Sequence, residues 1–133
     1  DTILNKQSGL LGISGVGNDH REIEEGIAAG NKRCELAHEM FVKRVVDYIA
    51  KYYVELGGCD AIAFTAGIGE NSAKTRYDIL KRLEVLGVTI NEEANQTRGA
   101  LIKISADGSK TAAYVVPTDE EVMIARDTYE LIK

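Results

Sequence analysis

"AIAFTAGIGENSAKTRYDIL", residues 61 to 80, decides how the rest of the chain is read. The apolar run Ala61-Ile62-Ala63-Phe64 enters a turn with two glycines, Gly67 and Gly69, and a helical pattern follows Asn71-Ser72. Residues 60–66 are short, apolar on both faces and bounded by glycines, which predicts a buried strand. Ser72 or Asn71 can cap a helix over about 73–86, with Ile79, Leu83 and Leu86 facing inward and Gly87 as its stop. Strand, glycine turn and helix in that order often hold a nucleotide. Yet GxxxxGK[ST] does not occur, and in a G-x-G-x-x-G alignment Ser72 stands at the third glycine. Two glycines let the backbone pass close to a flat ligand, and N–H groups at a helix start suit an anion. Glu70 would repel a phosphate lodged against it. The turn therefore suits the sugar or base of a nucleotide, and a tight turn that holds nothing would use the same residues.

Helix and strand continue on both sides. Upstream, "SGLLGISGVGND" (residues 8–19) belongs to a region with six of the 13 glycines in its first 30 residues, and it predicts a loop or chain of turns. Asp19 can cap a helix with Glu22 completing a capping box, and Gly30-Asn31 stops it after about Ala29. A long helix over about 32–56 carries Cys34, Ala37, Phe41, Val45, Tyr48, Ile49 and Tyr52 in one stripe, and Gly57-Gly58 ends it. Downstream, Val88-Thr89-Ile90 is at most a short strand and Asn91 to Gln96 a helical turn. Two strands, Leu101 to Ser105 and Thr111 to Val116, flank the turn Ala106-Asp107-Gly108-Ser109. Pro117 holds Val116 extended and ends the strand. Thr118 then caps a last helix with Glu121 as box partner, and Val122, Ala125, Tyr129 and Ile132 form its inner face. The class is α/β. Three strands offer too little surface for the apolar faces of four helices, so half of something larger is expected.

With 133 residues, 44% hydrophobic and 28% charged, the chain can bury one core. A net charge of −5 argues against a nucleic-acid or anionic-membrane partner. No apolar run approaches the roughly 20 residues that span a bilayer. The start, DTILNK, has no leader pattern and no methionine, which points to part of a longer chain. Cys34 and Cys59 stand alone without CxxC, so reduced thiols and a cytosolic setting are expected, with no disulfide or metal framework.

Two further segments carry chemistry. In "VVPTDEEVMIARD" (115–127), Asp119, Glu120 and Glu121 crowd a helix start, where the dipole favours negative charge. Capping alone would account for them. Glu121 has the capping-box position, so Glu120 is left to point elsewhere, and one or two such carboxylates suffice for Mg²⁺ bound with a nucleotide. In "GNDHREIEE" (17–25), His20 or Arg21 could stack on a base, or simply start a solvated helix. His38 fits a surface or satisfied interior histidine, and Tyr48, Tyr52 and Tyr53 fit core or interface. No GxSxG, Cys–His pairing or HExxH is present.

Together, "FTAGIGENS" (64–72), "SGLLGISGVGNDHREIE" (8–24) and "VPTDEEVMIARDT" (116–128) resemble, in order, the C-terminal third of the acetate kinases. The likeness runs from Asn5 to Thr128, and propionate kinases share it. The resemblance implies a two-lobed, ribonuclease-H-like fold of the sugar-kinase, heat-shock-protein and actin superfamily, with this chain as its C-terminal nucleotide-binding lobe. It implies Mg²⁺-dependent phosphoryl transfer between ATP and a short carboxylate, acetate or propionate. It places Asp19, His20 and Arg21 along one side of the adenosine, His20 at a variable position, and Gly67, Ile68 and Asn71 along the other. Glu120 matches a carboxylate that helps hold Mg²⁺. Pairing into a homodimer through this lobe is implied as well. Nothing here matches the family's catalytic arginines, aspartate or acetate pocket, so no catalytic residue is assigned. A non-catalytic nucleotide-binding or interaction module that kept the fold is the alternative. The last helix, which in the family leads toward the other lobe, is expected to show an uncovered apolar face.

Overall fold

The structure, a computed structural model, describes residues 1–133. The helices are α1 (Thr2–Lys6), α2 (Gly9–Ser14), α3 (His20–Ala28), α4 (Lys32–Glu55), α5 (Ala66–Asn71), α6 (Ala73–Arg82) and α7 (Glu120–Leu131). The strands are β1 (Ala61–Phe64), β2 (Ile102–Lys103) and β3 (Ala112–Val115), and short 3₁₀ turns cover Glu84–Leu86 and Ala94–Gln96. No helix is long and apolar enough to cross a membrane. The chain forms two compact units, Asp1–Cys59 with Asp78–Val85, and Asp60–Tyr77 with Leu86–Lys133.

The first unit is helical. Asn31 caps α4 by accepting from the Arg33 and Cys34 N–H groups, and α2 and α3 pack on α4. Ile23, Cys34, Ala37, Val42, Ile79, Leu80 and Leu83 are buried. Burying each large aliphatic among them is worth about 1.5–3 kcal/mol. His38 is an interior histidine, its Nε2 2.7 Å from Asp78 Oδ2. The distal half of the predicted α4 stripe is open, with Tyr48 and Tyr52 both about half exposed. Half of the loop expected over residues 8–19 is instead helical, as α2. Its glycines do not break α2, because Gly9 opens the helix and Gly15 closes it in the left-handed conformation.

The second unit holds a mixed sheet in the order β1-β3-β2, with β1 parallel and β2 antiparallel to β3. The register pairs Phe64 with Val115 and Ile102 with Val115. Phe64, Val88, Ile104, Ala113 and Val115 are buried. β1 corrects the expectation of a strand buried on both faces: it is an edge strand, and Ala61 and Ala63 face outward. The predicted helix over 73–86 is α6 followed by a 3₁₀ turn. Ser72 caps it, its Oγ accepting from the Thr75 N–H at 3.1 Å. α7 has no buried residue. The inner face expected at Val122, Ala125, Tyr129 and Ile132 has no covering within the chain, as the uncovered-face expectation has it.

Candidate functional site

The glycine turn of the opening stretch is itself a short helix, α5, where the sequence suggested only a turn between strand and helix. The chain leaves β1 through extended Thr65 and turns at Ala66, whose φ of +59° is the only positive φ at a non-glycine residue. α5 then runs through Gly67, Ile68, Gly69 and Glu70 to Asn71. The Asn71 amide donates back to the Gly67 carbonyl at 2.9 Å, and the Ser72 N–H donates to the Ile68 carbonyl at 3.0 Å. Gly67, Ile68 and Asn71 thus lie in one helical turn.

The two glycines differ in what they are for. A Cβ at Gly69 would sit 3.1 Å from the Phe64 carbonyl carbon, so Gly69 lets α5 fold closely onto the end of β1. A Cβ at Gly67 would meet nothing within 4 Å. Gly67 is exposed, and it has no positive φ that would require glycine.

Glu70 is engaged by its own unit. Its Oε1 accepts from the Thr118 N–H at 2.9 Å and from the Thr118 hydroxyl at 2.8 Å. These two bonds, the backbone one foremost, hold the Glu70 carboxyl below its ordinary range. Thr118 is therefore not the cap of α7. Asp119 is, with Oδ1 accepting from the Val122 N–H at 3.0 Å. The shift of one residue removes Glu121 from the capping-box position and makes Glu120 the first residue of α7, exposed to solvent.

Sequence reasoning missed Arg76. On an amphipathic helix it reads as a surface cation, yet it is wholly buried in the second unit. Its Nη1 donates to the carbonyls of Gly69 and Glu70, the last turn of α5. The partners 19 and 21 residues ahead, Asn95 and Thr97, leave no trace in local sequence.

In the first unit Asp19 caps α3 by accepting from the Arg21 N–H, and its carboxylate also holds the Arg21 guanidinium. The Arg21 side-chain bond and then the backbone bond lower the Asp19 carboxyl to about 2. Arg21 remains 85% exposed along its side chain. His20 is buried, its ring 5.3 Å from Phe41 and 5.5 Å from His38 between centroids. The expectation that either His20 or Arg21 could stack on a base narrows to Arg21, because the imidazole is packed inside. Burial pushes His20 below its ordinary value, against the opposing pull of Glu24.

Glu120, the carboxylate expected to help hold magnesium, stands exposed at the start of α7. No cluster of three His, Cys, Asp or Glu side chains is placed to hold a metal. Asp119 is committed to its cap. One exposed carboxylate beside that cap fits an ion that brings most of its oxygens from water and phosphate.

Residues 1–126 match the profile of the Acetokinase family. An acetate kinase of Finegoldia magna is 56% identical over 131 residues, 98% of this chain and 33% of that protein. The crystal structure of Porphyromonas gingivalis acetate kinase superposes with a TM-score of 0.90 at 43% identity, over 99% of this chain and 33% of that one. A propionate kinase structure from Francisella tularensis gives 0.84 at 41% identity, over 93% of this chain and 31% of that one. The chain spans about a third of the length of the curated relatives it matches. Its α/β fold is that of the matching third of the acetate kinases, which are of actin type. The chain belongs to the Acetokinase family.

Proposed function

We propose that this chain supplies the adenine-nucleotide side of a magnesium-dependent acetate kinase, which transfers a phosphoryl group between ATP and acetate to give acetyl phosphate and ADP. Family membership supports the choice of reaction. The observation that carries the nucleotide role is Gly67, a glycine needed neither by its φ nor by any neighbouring atom, directly after the one strained non-glycine residue. A bare backbone held open at a strained turn leaves room for a flat ligand.

In this proposal Gly67, Ile68 and Asn71 contact the adenosine, and so do Asp19 and Arg21. His20 lies in the same segment, with its ring buried. Glu120 is the carboxylate that helps hold Mg²⁺, and the ion would neutralise charge on the transferring phosphate. The groups that would act on that phosphate are not assigned to this chain. A cytoplasmic location and pairing into homodimers belong to the same proposal.

Isothermal titration of the folded chain with ADP and GDP tests it. Binding of ADP that is weakened by Asn71→Ala or Gly67→Val supports the assignment. No heat with either nucleotide in a folded sample would remove it. Propionate is the second acid to consider, because a propionate kinase is among the similar structures. Steady-state rates of the gene's full product with the two acids decide between them.

A further inference from the structure

We infer that Arg76 is a positioning residue, whose buried guanidinium holds the Gly67–Asn71 turn in the geometry that receives the nucleotide. This rests on the nucleotide role proposed for that turn. The guanidinium carries five N–H donors in a planar fork, and all five are used. Nε donates to Asn95 Oδ1 at 3.0 Å. Nη1 donates to the Gly69 carbonyl at 2.9 Å and to the Glu70 carbonyl at 3.0 Å. Nη2 donates to the Asn95 carbonyl at 2.6 Å and to the Thr97 carbonyl at 2.8 Å.

No carboxylate is among these partners, so a cation is buried on neutral carbonyl dipoles. Such burial is costly, and an apolar side chain of similar volume in a buried ionic site is often as stable or more so. Stability alone therefore does not account for an arginine here. Its placement does. The last carbonyls of any helix lack partners within it, and a helix of six residues cannot sustain itself. α5 moreover begins at a left-handed Ala66. Arg76 ties the two carbonyls at the end of α5 to the Asn95–Thr97 turn, and the Asn95 amide is itself anchored on the Ala73 carbonyl at 2.8 Å. Arg76 thus joins the far end of α5 to a fixed frame, while its side chain, wholly buried, is out of a ligand's reach. Lysine could not replace it, because a point charge with three donors cannot span four carbonyls and an amide oxygen.

The test compares the chain with Arg76→Met and Arg76→Lys by thermal melting, hydrogen exchange of residues 66–72 and ADP titration. Val88→Ala, a buried variant next to Gly87, whose carbonyl accepts from Lys110 at the other end of the sheet from Phe64, serves as a control for general loss of stability. Both arginine variants are expected to speed exchange at Gly69 to Ser72 about tenfold and to weaken ADP about tenfold, since affinity falls with the fraction of chains holding the competent turn. The control should leave ADP affinity unchanged at a comparable melting temperature. Should Arg76→Met not fold, Asn95→Ala removes one acceptor and should give the same pattern at about threefold. Folded variants with unchanged exchange and unchanged ADP affinity would overturn the inference, as would an affinity loss that the control matches. If the parent chain itself binds no ADP, the nucleotide role of the turn has failed, which is a separate and recognisable result.

Discussion

Glu70 accepts two hydrogen bonds from Thr118, and so the acid in the glycine segment is the tie that holds the start of α7. One oxygen, Oε1, takes both the backbone N–H and the hydroxyl. In sequence this carboxylate looks like an obstacle to phosphate. In the fold it connects the turn proposed for the adenosine with the segment that presents Glu120. Glu70→Ala should lower the melting temperature slightly, because it removes two hydrogen bonds at the surface. It should weaken the magnesium-dependent part of ADP binding, measured by titration with and without Mg²⁺. Equal affinities with the metal present would show that the tie has no part in binding.

The same tie predicts a pH dependence. The carboxyl is held below its ordinary value of 4.5 by Thr118. A lowered acid stabilises the fold fully above the unfolded value and loses that contribution as pH falls through the folded one. The stability difference between the parent chain and Glu70→Gln should be constant near neutrality. It should shrink once the pH drops below 4.5. Melting curves across that range, or the carboxyl shift of Glu70 by NMR, measure it.

Gly67 and Gly69 should respond to alanine with opposite signs. At Gly67 a methyl group enters open space on a helix, so Gly67→Ala should stabilise by about 0.5–1 kcal/mol. At Gly69 it would press on the Phe64 backbone, and the cost of such crowding is about 1–3 kcal/mol. Nucleotide affinity should fall in both variants, but in Gly67→Ala the loss comes with a more stable protein. Denaturant unfolding beside ADP titration separates the two effects. A Gly67→Ala chain that binds as well as the parent would take Gly67 out of the site.

The elements that were legible in the sequence are those whose local chemistry agreed with the fold. Asp19 and Ser72 cap where they should, and the turn between β2 and β3 falls where Gly108 and its neighbours predict. Glycine content misled wherever glycines serve helix ends, as in α2, or close packing, as at Gly69. The T-x-x-E pattern at Thr118 to Glu121 met the rule for a cap, but Thr118 is already bonded to a residue 48 positions earlier. Candidate site residues with a role in a local turn could be found from order and spacing. Arg76 could not, because every one of its side-chain bonds reaches at least six residues away.

His20 makes the first unit sensitive to mild acid. Burial keeps its imidazole neutral in the folded chain below its ordinary value of 6.5, with His38 opposing protonation further and Glu24 and Asp19 favouring it. Between the lowered folded value and 6.5 the unfolded chain binds the extra proton. Stability therefore rises with pH through that window and is lost as the pH falls through it. His20→Phe, which keeps a ring beside Phe41 and His38, should flatten this part of the profile. Thermal melts over mildly acidic buffers provide the check, and an unchanged slope would assign the sensitivity elsewhere.

Asp119 and Glu120 are adjacent acids that should separate by assay. Asp119 supplies the α7 cap through Oδ1, so Asp119→Ala should cost about 1 kcal/mol of local stability. Its effect should appear as faster hydrogen exchange at the start of α7, with or without metal. Glu120 follows the cap, is exposed, and adds only a surface charge to the helix start. Glu120→Gln keeps the shape and removes the charge. It should leave exchange in α7 unchanged while lowering the gain in ADP affinity that Mg²⁺ provides, by about tenfold if one ligand bond of the ion is lost. If Glu120→Gln keeps the full magnesium effect, the carboxylate only complements the helix dipole, and the ion is held without it.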